Sequence, residues 1–371
     1  MTEAQKLLSD FKFYSSYSKF KKEDERMETW EEAIDRVMQM HYKKYQNKIT
    51  PELQEYLDFA TKQYKEKRIL GSQRALQFGG DSILKHEMKQ FNCLVSYCDR
   101  IEFFKEAMYL LLCGCGVGFS VQTLHVEKLP MIGKRIEGVK TFLIEDSIEG
   151  WADAIGVLLA SYSLSDIKFQ DYYGYRIDFD YSNIRPKGSY ISGGFKAPGY
   201  EGLKNSLTKI QELLDKEING NVQIPFKSII AYDVVMHMAD AVLSGGVRRS
   251  ATICLFSATD NDMLNAKTGD WYIKNPQRGR SNNSVILIRN KTSKELFSKI
   301  MESVKSWGEP GFVWSSNEDI IYNPCVEIGM TPYYINENGN KISGWEGCNL
   351  TEINGSKCNT EQEFYDACKA S

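Results

Sequence analysis

From residue 91 onward, short apolar runs of strand length alternate with longer segments of helical period, and nothing else in the sequence constrains the fold as strongly. Residues 93–98, 117–124, 175–181, 251–256 and 284–288 read as strands. Residues 102–113, 146–162 and 233–243 read as helices among them. Helix following strand in repetition predicts an α/β architecture. The first ninety residues differ in being charged and helical in pattern. Apolar side chains at Trp30, Ala33, Ile34, Val37 and Met38 recur with the spacing of one helix face. Thr50 followed by Pro51 marks the start of a second helix reaching Lys67. A small helical region over 1–90 is therefore expected to precede an α/β region over 91–371. Residues 342–371 still read as domain interior, with a helix opening at Glu361. The polypeptide thus reads as stopping inside a domain.

Composition excludes several classes. Hydrophobic residues are 42% and charged residues 26%, as in an ordinary globular chain. The formal charge is −3, with no concentrated basic stripe to coat nucleic acid, so no nucleic-acid partner is expected. The polar N-terminus is no secretory signal. The uncharged run 107–124 is 18 residues long but carries Gly114, Gly116, Gly118, Ser120 and Gln122, so it reads as a buried helix ending in glycines rather than a membrane span. Nine cysteines without a signal point to a reducing cytoplasm.

Four stretches could carry chemistry. Pro324 keeps Asn323-Pro324-Cys325-Val326-Glu327 out of a helix interior. An extended conformation would point Asn323, Cys325 and Glu327 to one face, placing an amide, a thiol and a carboxylate together. Gly114-Cys115-Gly116-Val117-Gly118 is no dinucleotide loop, because here the helix precedes the strand; its glycines mark a helix stop and close backbone approach. Ser244-Gly245-Gly246-Val247-Arg248-Arg249-Ser250, with glycines, two arginines and serines, suits an anion, though a glycine helix cap with solvated arginines would look the same. The stretch 189–199 has too many chain breakers for regular structure. A thiolate–metal site from Cys93, Cys98, Cys113 and Cys115 is disfavoured, because strand alternation sends Cys93 and Cys98 to opposite faces, and no protein metal site is expected.

These stretches occur in one order together with Glu28-Thr29-Trp30-Glu31, Arg74-Ala75-Leu76, Asn92-Cys93, Gly116–Val121, Asn183-Ile184-Arg185-Pro186-Lys187-Gly188, Ser281–Val285, Gly308-Glu309-Pro310-Gly311 and Cys348-Asn349-Leu350. Taken together, from about residue 13 to 355, they resemble ribonucleotide reductase. The likeness is greatest to the monomeric adenosylcobalamin-dependent (class II) ribonucleoside-triphosphate reductases, and to their N-terminal portion. The resemblance implies the first part of a ten-stranded α/β barrel, with a finger loop at about 320–330 and an insertion at about 125–182 that imitates a dimer partner. It implies that Cys325 carries a thiyl radical, that Glu327 takes the proton of the ribose 3′-hydroxyl, that Asn323 holds the substrate hydroxyls, and that Cys93 and Cys348 supply the reducing electrons. The last two lie 255 positions apart. A deoxynucleoside triphosphate effector is expected near Asp99 and two loops, one carrying Ser192, Gly193, Gly194 and Lys196, the other Gly245, Gly246, Arg248, Arg249 and Ser250. Further expectations are a ribonucleoside triphosphate substrate, a thioredoxin-like reductant, adenosylcobalamin, no membrane, and a complementing C-terminal polypeptide to finish the barrel. The competing reading is a non-catalytic nucleotide-binding remnant. One departure stands out: 22 residues separate Cys325 from Cys348, including a hairpin turn at 335–340, a longer connection than the family's.

Overall fold

A computed structural model describes residues 2–164, 168–190, 196–244 and 251–371. The chain divides into two compact units, Met1–Asn92 with Cys348–Ser371, and Cys93–Gly347. The last 24 residues therefore pack with the helical region and not with the α/β region to which the sequence reading assigned them.

The helical unit contains α1 (Glu3–Ser16), α2 (Trp30–Tyr45) and α3 (Pro51–Lys65), together with a C-terminal helix at Glu361–Ala370. Helix α2 starts where Thr29 and Glu32 cap each other's backbone N–H, and α3 starts at Thr50 with Pro51 in its first turn. Phe13, Ala33, Ile34, Val37, Tyr64, Leu76 and Ala367 form one apolar cluster, so the C-terminal helix is part of this core. Ile69–Leu70 and Glu352–Ile353 pair as short antiparallel strands.

The second unit opens with β1 (Cys93–Tyr97), α4 (Glu102–Cys113) and β2 (Gly116–Ser120). Gly114 ends α4 in the left-handed conformation that glycine adopts without steric cost. The stretch 125–182 contributes β3 (Val139–Leu143), α5 (Ile148–Ala160) and β4 (Arg176–Asp180), and β3 and β4 form a separate parallel pair. Phe142, Tyr172, Tyr175 and Phe179 pack that pair against Val157 and Ala160 of α5. Helices α6 (Glu201–Ile218) and α7 (Ser228–Ser244) lead to β5 (Ala251–Ser257), β6 (Ser281–Ile288), α8 (Lys294–Trp307) and β7 (Gly311–Ser315). After β7 come the short strands β8 (Ile321–Tyr322), β9 (Gly329–Met330), β10 (Tyr333–Ile335), β11 (Lys341–Ser343) and β12 (Glu346–Cys348).

Among the described residues the main sheet runs β7-β6-β5-β2-β1-β12, and the pairings from β7 to β1 are all parallel. Every residue of β1 and β2 is buried, as expected of a parallel sheet covered on both faces. Phe119 of β2 and Phe103 of α4 are fully buried, with ring centroids 5.9 Å apart. The alternation read from the sequence is thus a parallel α/β sheet. Helices α6 and α8 and strand β7 were not anticipated. No described helix is long and apolar enough to cross a membrane.

Candidate active site: a finger on the face of the sheet

Paired residues on neighbouring parallel strands point to the same side. Cys93 pairs with Gly116, Val95 with Gly118 and Tyr97 with Ser120, so these six share one face of the sheet. Gly118 lies at the centre of that face for a steric reason. A Cβ there would stand 2.5 Å from the Tyr322 carbonyl oxygen and 3.0 Å from the Val95 side chain. Glycine lets the backbone of β8 rest directly on β2.

Strands β8 and β9 form a two-residue antiparallel ladder, Ile321 with Met330 and Tyr322 with Gly329, and residues 323–328 make its tip. The tip is a tight turn and not the extended segment expected from sequence. The Val326 N–H donates to the Asn323 carbonyl at 2.8 Å, closing a four-residue turn with Pro324 in its second position. Val326 sits at φ +66°, unusual for a β-branched residue. The Asn323 side chain is the pivot. Its Nδ2 donates to Glu327 Oε1 at 2.7 Å, and its Oδ1 accepts the Ile328 N–H at 3.2 Å. Local hydrogen bonds from an asparagine side chain have outcompeted the extended backbone.

Asn323 and Glu327 therefore meet, but through the turn rather than through strand alternation. Asn323 is fully buried, while Cys325 is exposed at the turn's tip. Cys93 is buried at the start of β1, on the sheet face that carries the finger. Cys348 is buried at the end of β12, and its carbonyl accepts the Asn92 N–H at 3.3 Å.

The feet of the finger are held by groups that sequence reasoning missed. Gln122 Nε2 donates to the Glu318 carbonyl at 3.0 Å, and the Tyr97 hydroxyl donates to the Asp319 carbonyl. Lys341 pairs with the Asp319 carboxylate, and Glu346 accepts the Thr331 N–H at 2.7 Å. These partners lie far apart in sequence, and no local pattern announces them. His125, stacked on Tyr97 with ring centroids 4.0 Å apart, belongs to the same cluster. Ser120 Oγ accepts from the Gln122 backbone N–H and from its side chain, so its own proton goes to His125 Nδ1 at 2.8 Å. That assigns the ring proton to Nε2, a buried atom with no hydrogen-bond partner among the described residues. Burial pushes His125 down to about 3, so the ring is neutral, and burial also raises the Tyr97 hydroxyl.

Asp99, expected near an effector, is nearly buried. Its carboxylate accepts Ser343 Oγ at 2.5 Å and lies 3.3 Å from Arg100 and 3.8 Å from Lys128. Lys196 is exposed and bridges to Tyr190. Ser192, Gly193, Gly194, Gly245, Gly246, Arg248, Arg249 and Ser250 lie outside the described residues. Cys98, Cys113, Cys115 and Cys254 are buried, and burial raises the Cys98 and Cys254 thiols, as in inert structural cysteines. Among the described residues no cluster of His, Cys, Asp or Glu could hold a metal ion.

No family model matches the chain. A probable adenosylcobalamin-dependent ribonucleoside-triphosphate reductase of Dictyostelium discoideum is 32% identical over 214 residues, covering 52% of this chain and 26% of that protein. A putative enzyme of the same description from Mycobacterium phage D29 is 25% identical, covering 91% of this chain and 54% of that protein. The Lactobacillus delbrueckii enzyme is 28% identical over 66% of this chain and 36% of its own length. The crystal structure of a B12-dependent (class II) ribonucleotide reductase superimposes with a TM-score of 0.80 over 97% of this chain and 58% of its own, at 21% identity. By sequence and by fold, the chain resembles the class II ribonucleotide reductases. It spans about half the length, or less, of the relatives it matches. The structural match at that identity speaks for the α/β fold. The names of the sequence relatives speak for the ribonucleoside-triphosphate reductase family.

Proposed function

We propose that this chain supplies the reacting thiol, its proton acceptor and the reducing cysteines of a ribonucleoside-triphosphate reductase. The observation that carries the reading is the finger turn, which unites Asn323, Cys325 and Glu327 on a pedestal over the face that presents Cys93. In this scheme the Cys325 sulfur, as a thiyl radical, takes the ribose 3′-hydrogen, and the S–H bond so formed later returns it. Glu327 accepts the 3′-hydroxyl proton, while Asn323, held by Glu327 and the Ile328 N–H, fixes that carboxylate against the substrate hydroxyls. The 2′-hydroxyl leaves as water. Two electrons come from the Cys93 and Cys348 thiols, which end as a disulfide that a thioredoxin-like dithiol reduces again.

The residues present suit adenosylcobalamin, since Cys325 stands exposed where a bulky group can reach its sulfur and the buried Cys98 and Cys254 do not. When bound, that cofactor supplies the homolysis that makes the thiyl radical. The same exposure argues for a complementing polypeptide. A thiyl radical needs walls that exclude competing hydrogen donors, and Cys325 has solvent on one side. The edge strand β7 also leaves Phe312 and Trp314 partly exposed, as a parallel sheet awaiting cover would. Asp99 already accepts a hydroxyl from Ser343, and a deoxynucleotide effector would offer it a similar donor. Lys196, with the rest of its loop and the second expected loop at 244–250, would meet the phosphates. The reducing cytoplasm suits an enzyme whose thiols must return to the reduced state.

The test is reduction of a ribonucleoside triphosphate by this chain combined with a C-terminal reductase polypeptide, adenosylcobalamin and a dithiol. The expected product is the 2′-deoxynucleotide, and a single turnover without dithiol should leave Cys93 linked to Cys348 in the peptide map. Absence of product, or a disulfide between other cysteines, would contradict the scheme.

A further inference from the structure

The connection from the finger to β12 is the hairpin β10–β11, the long stretch that departs from the family resemblance. It is fastened at both ends of its second strand. Lys341 reaches the Asp319 carboxylate while its ammonium lies 4.5 Å from the centre of the Tyr333 ring. Ser343 donates to Asp99, and the Gly344 carbonyl accepts the Ser96 hydroxyl at 2.6 Å. Trp345 stacks on Phe103 at 5.6 Å and donates to Glu106 at 2.8 Å. The hairpin is thus anchored to β1 and α4, two rigid elements of the core, and from that anchorage it grips the finger on both legs. Lys341 holds the rising leg at Asp319, and Glu346, immediately after Trp345, holds the falling leg at Thr331. Three residues separate Asp319 from the turn that begins at Asn323. The β8–β9 ladder is only two pairs long and cannot by itself fix the direction of that turn.

We infer that the β10–β11 hairpin and the start of β12 together form a clamp, with Lys341 of β11 and Glu346 of β12 as positioning residues that set where the Cys325 turn stands over the sheet. Its meaning for catalysis rests on the proposed role of Cys325, but the clamp itself does not, and the two can fail separately. The Tyr97 and Gln122 contacts fix the foot of the finger from the sheet side. Lys341 and Glu346 fix it from the solvent side, so the finger is held between them.

Amide hydrogen exchange on the full chain reads the clamp directly. In Lys341→Ala, exchange at the Val326 and Ile328 amides should rise about twofold to fivefold, the range of an exposed ion pair, with β5 and β6 unchanged. Lys341→Arg should restore protection, and Asp319→Asn should act in the same direction as Lys341→Ala. Unchanged exchange at the finger, or a rise spread evenly over the sheet, would overturn the clamp. In the complemented enzyme Lys341→Ala should lower kcat with KM for the nucleotide unchanged, and an effect confined to KM would make Lys341 a substrate-binding residue instead. If the complemented wild-type chain reduces nothing, the proposed function fails while the exchange result still decides the clamp.

Discussion

Strand β2 has two faces with opposite tasks. Phe119 faces the core, fully buried against Phe103, and is one of many side chains that make the sheet and its helices a single apolar body. Gly118, one residue earlier, faces the finger, where its missing side chain is what admits the Tyr322 carbonyl. On the first face stability comes from volume that is filled. On the second, geometry comes from volume that is left out, and from polar groups such as Gln122 and Tyr97 that donate to the backbone carbonyls of Glu318 and Asp319. A site built this way draws rigidity from the core while adding little to stability itself.

The contrast can be broken by adjacent substitutions. Phe119→Ala should cost about 3–5 kcal/mol in denaturant unfolding, because a fully buried ring leaves a cavity. A loss below about 1 kcal/mol would mean that this face is not the core described. Gly118→Ala should cost less, about 1–3 kcal/mol. Its damage should be local, seen as raised amide exchange over 321–330 with α4 still protected. Equal disruption of α4 would erase the distinction between the faces.

A third probe is pH. His125 is neutral in the fold and held down to about 3 by burial, against an ordinary value of 6.5. The unfolded chain therefore binds a proton that the folded chain refuses as the pH falls below 6.5, so stability must fall with it. Between pH 6.5 and 5.5 the loss from this one group is about 1 kcal/mol, and His125→Gln should flatten the slope by that amount. An unchanged slope in the variant would mean that His125 is solvated.

The same contrast explains what the sequence disclosed. Helix α4 was read with its observed ends, and β1, β2, β5, α5 and α7 were each found to within a few residues, because burial imposes a period on neighbouring residues. Helices α6 and α8, not anticipated from the sequence, are both amphipathic, so their period is present in it. The residues of the finger were legible as a motif, but their conformation was not. Period-two reasoning assumed an extended chain, whereas the Asn323 side chain closes a turn by bonding its own neighbours. The Tyr97, Gln122, Lys341 and Glu346 contacts left no local trace, since each joins segments that only the tertiary fold brings together. The hairpin itself was visible as Asn- and Gly-rich sequence, and its grip on Asp319 was not.

Cys325 gives the account its most direct test. Replacing it by Ser changes one exposed atom at a turn tip, so thermal stability should stay within about 0.5 kcal/mol of the parent chain. Under the proposed scheme, deoxynucleotide formation by the complemented enzyme should fall by about a thousandfold or more, because a serine hydroxyl cannot replace the thiol that takes the 3′-hydrogen. Turnover by Cys325→Ser at a rate near that of the parent would show that the reacting thiol is not the one this finger carries.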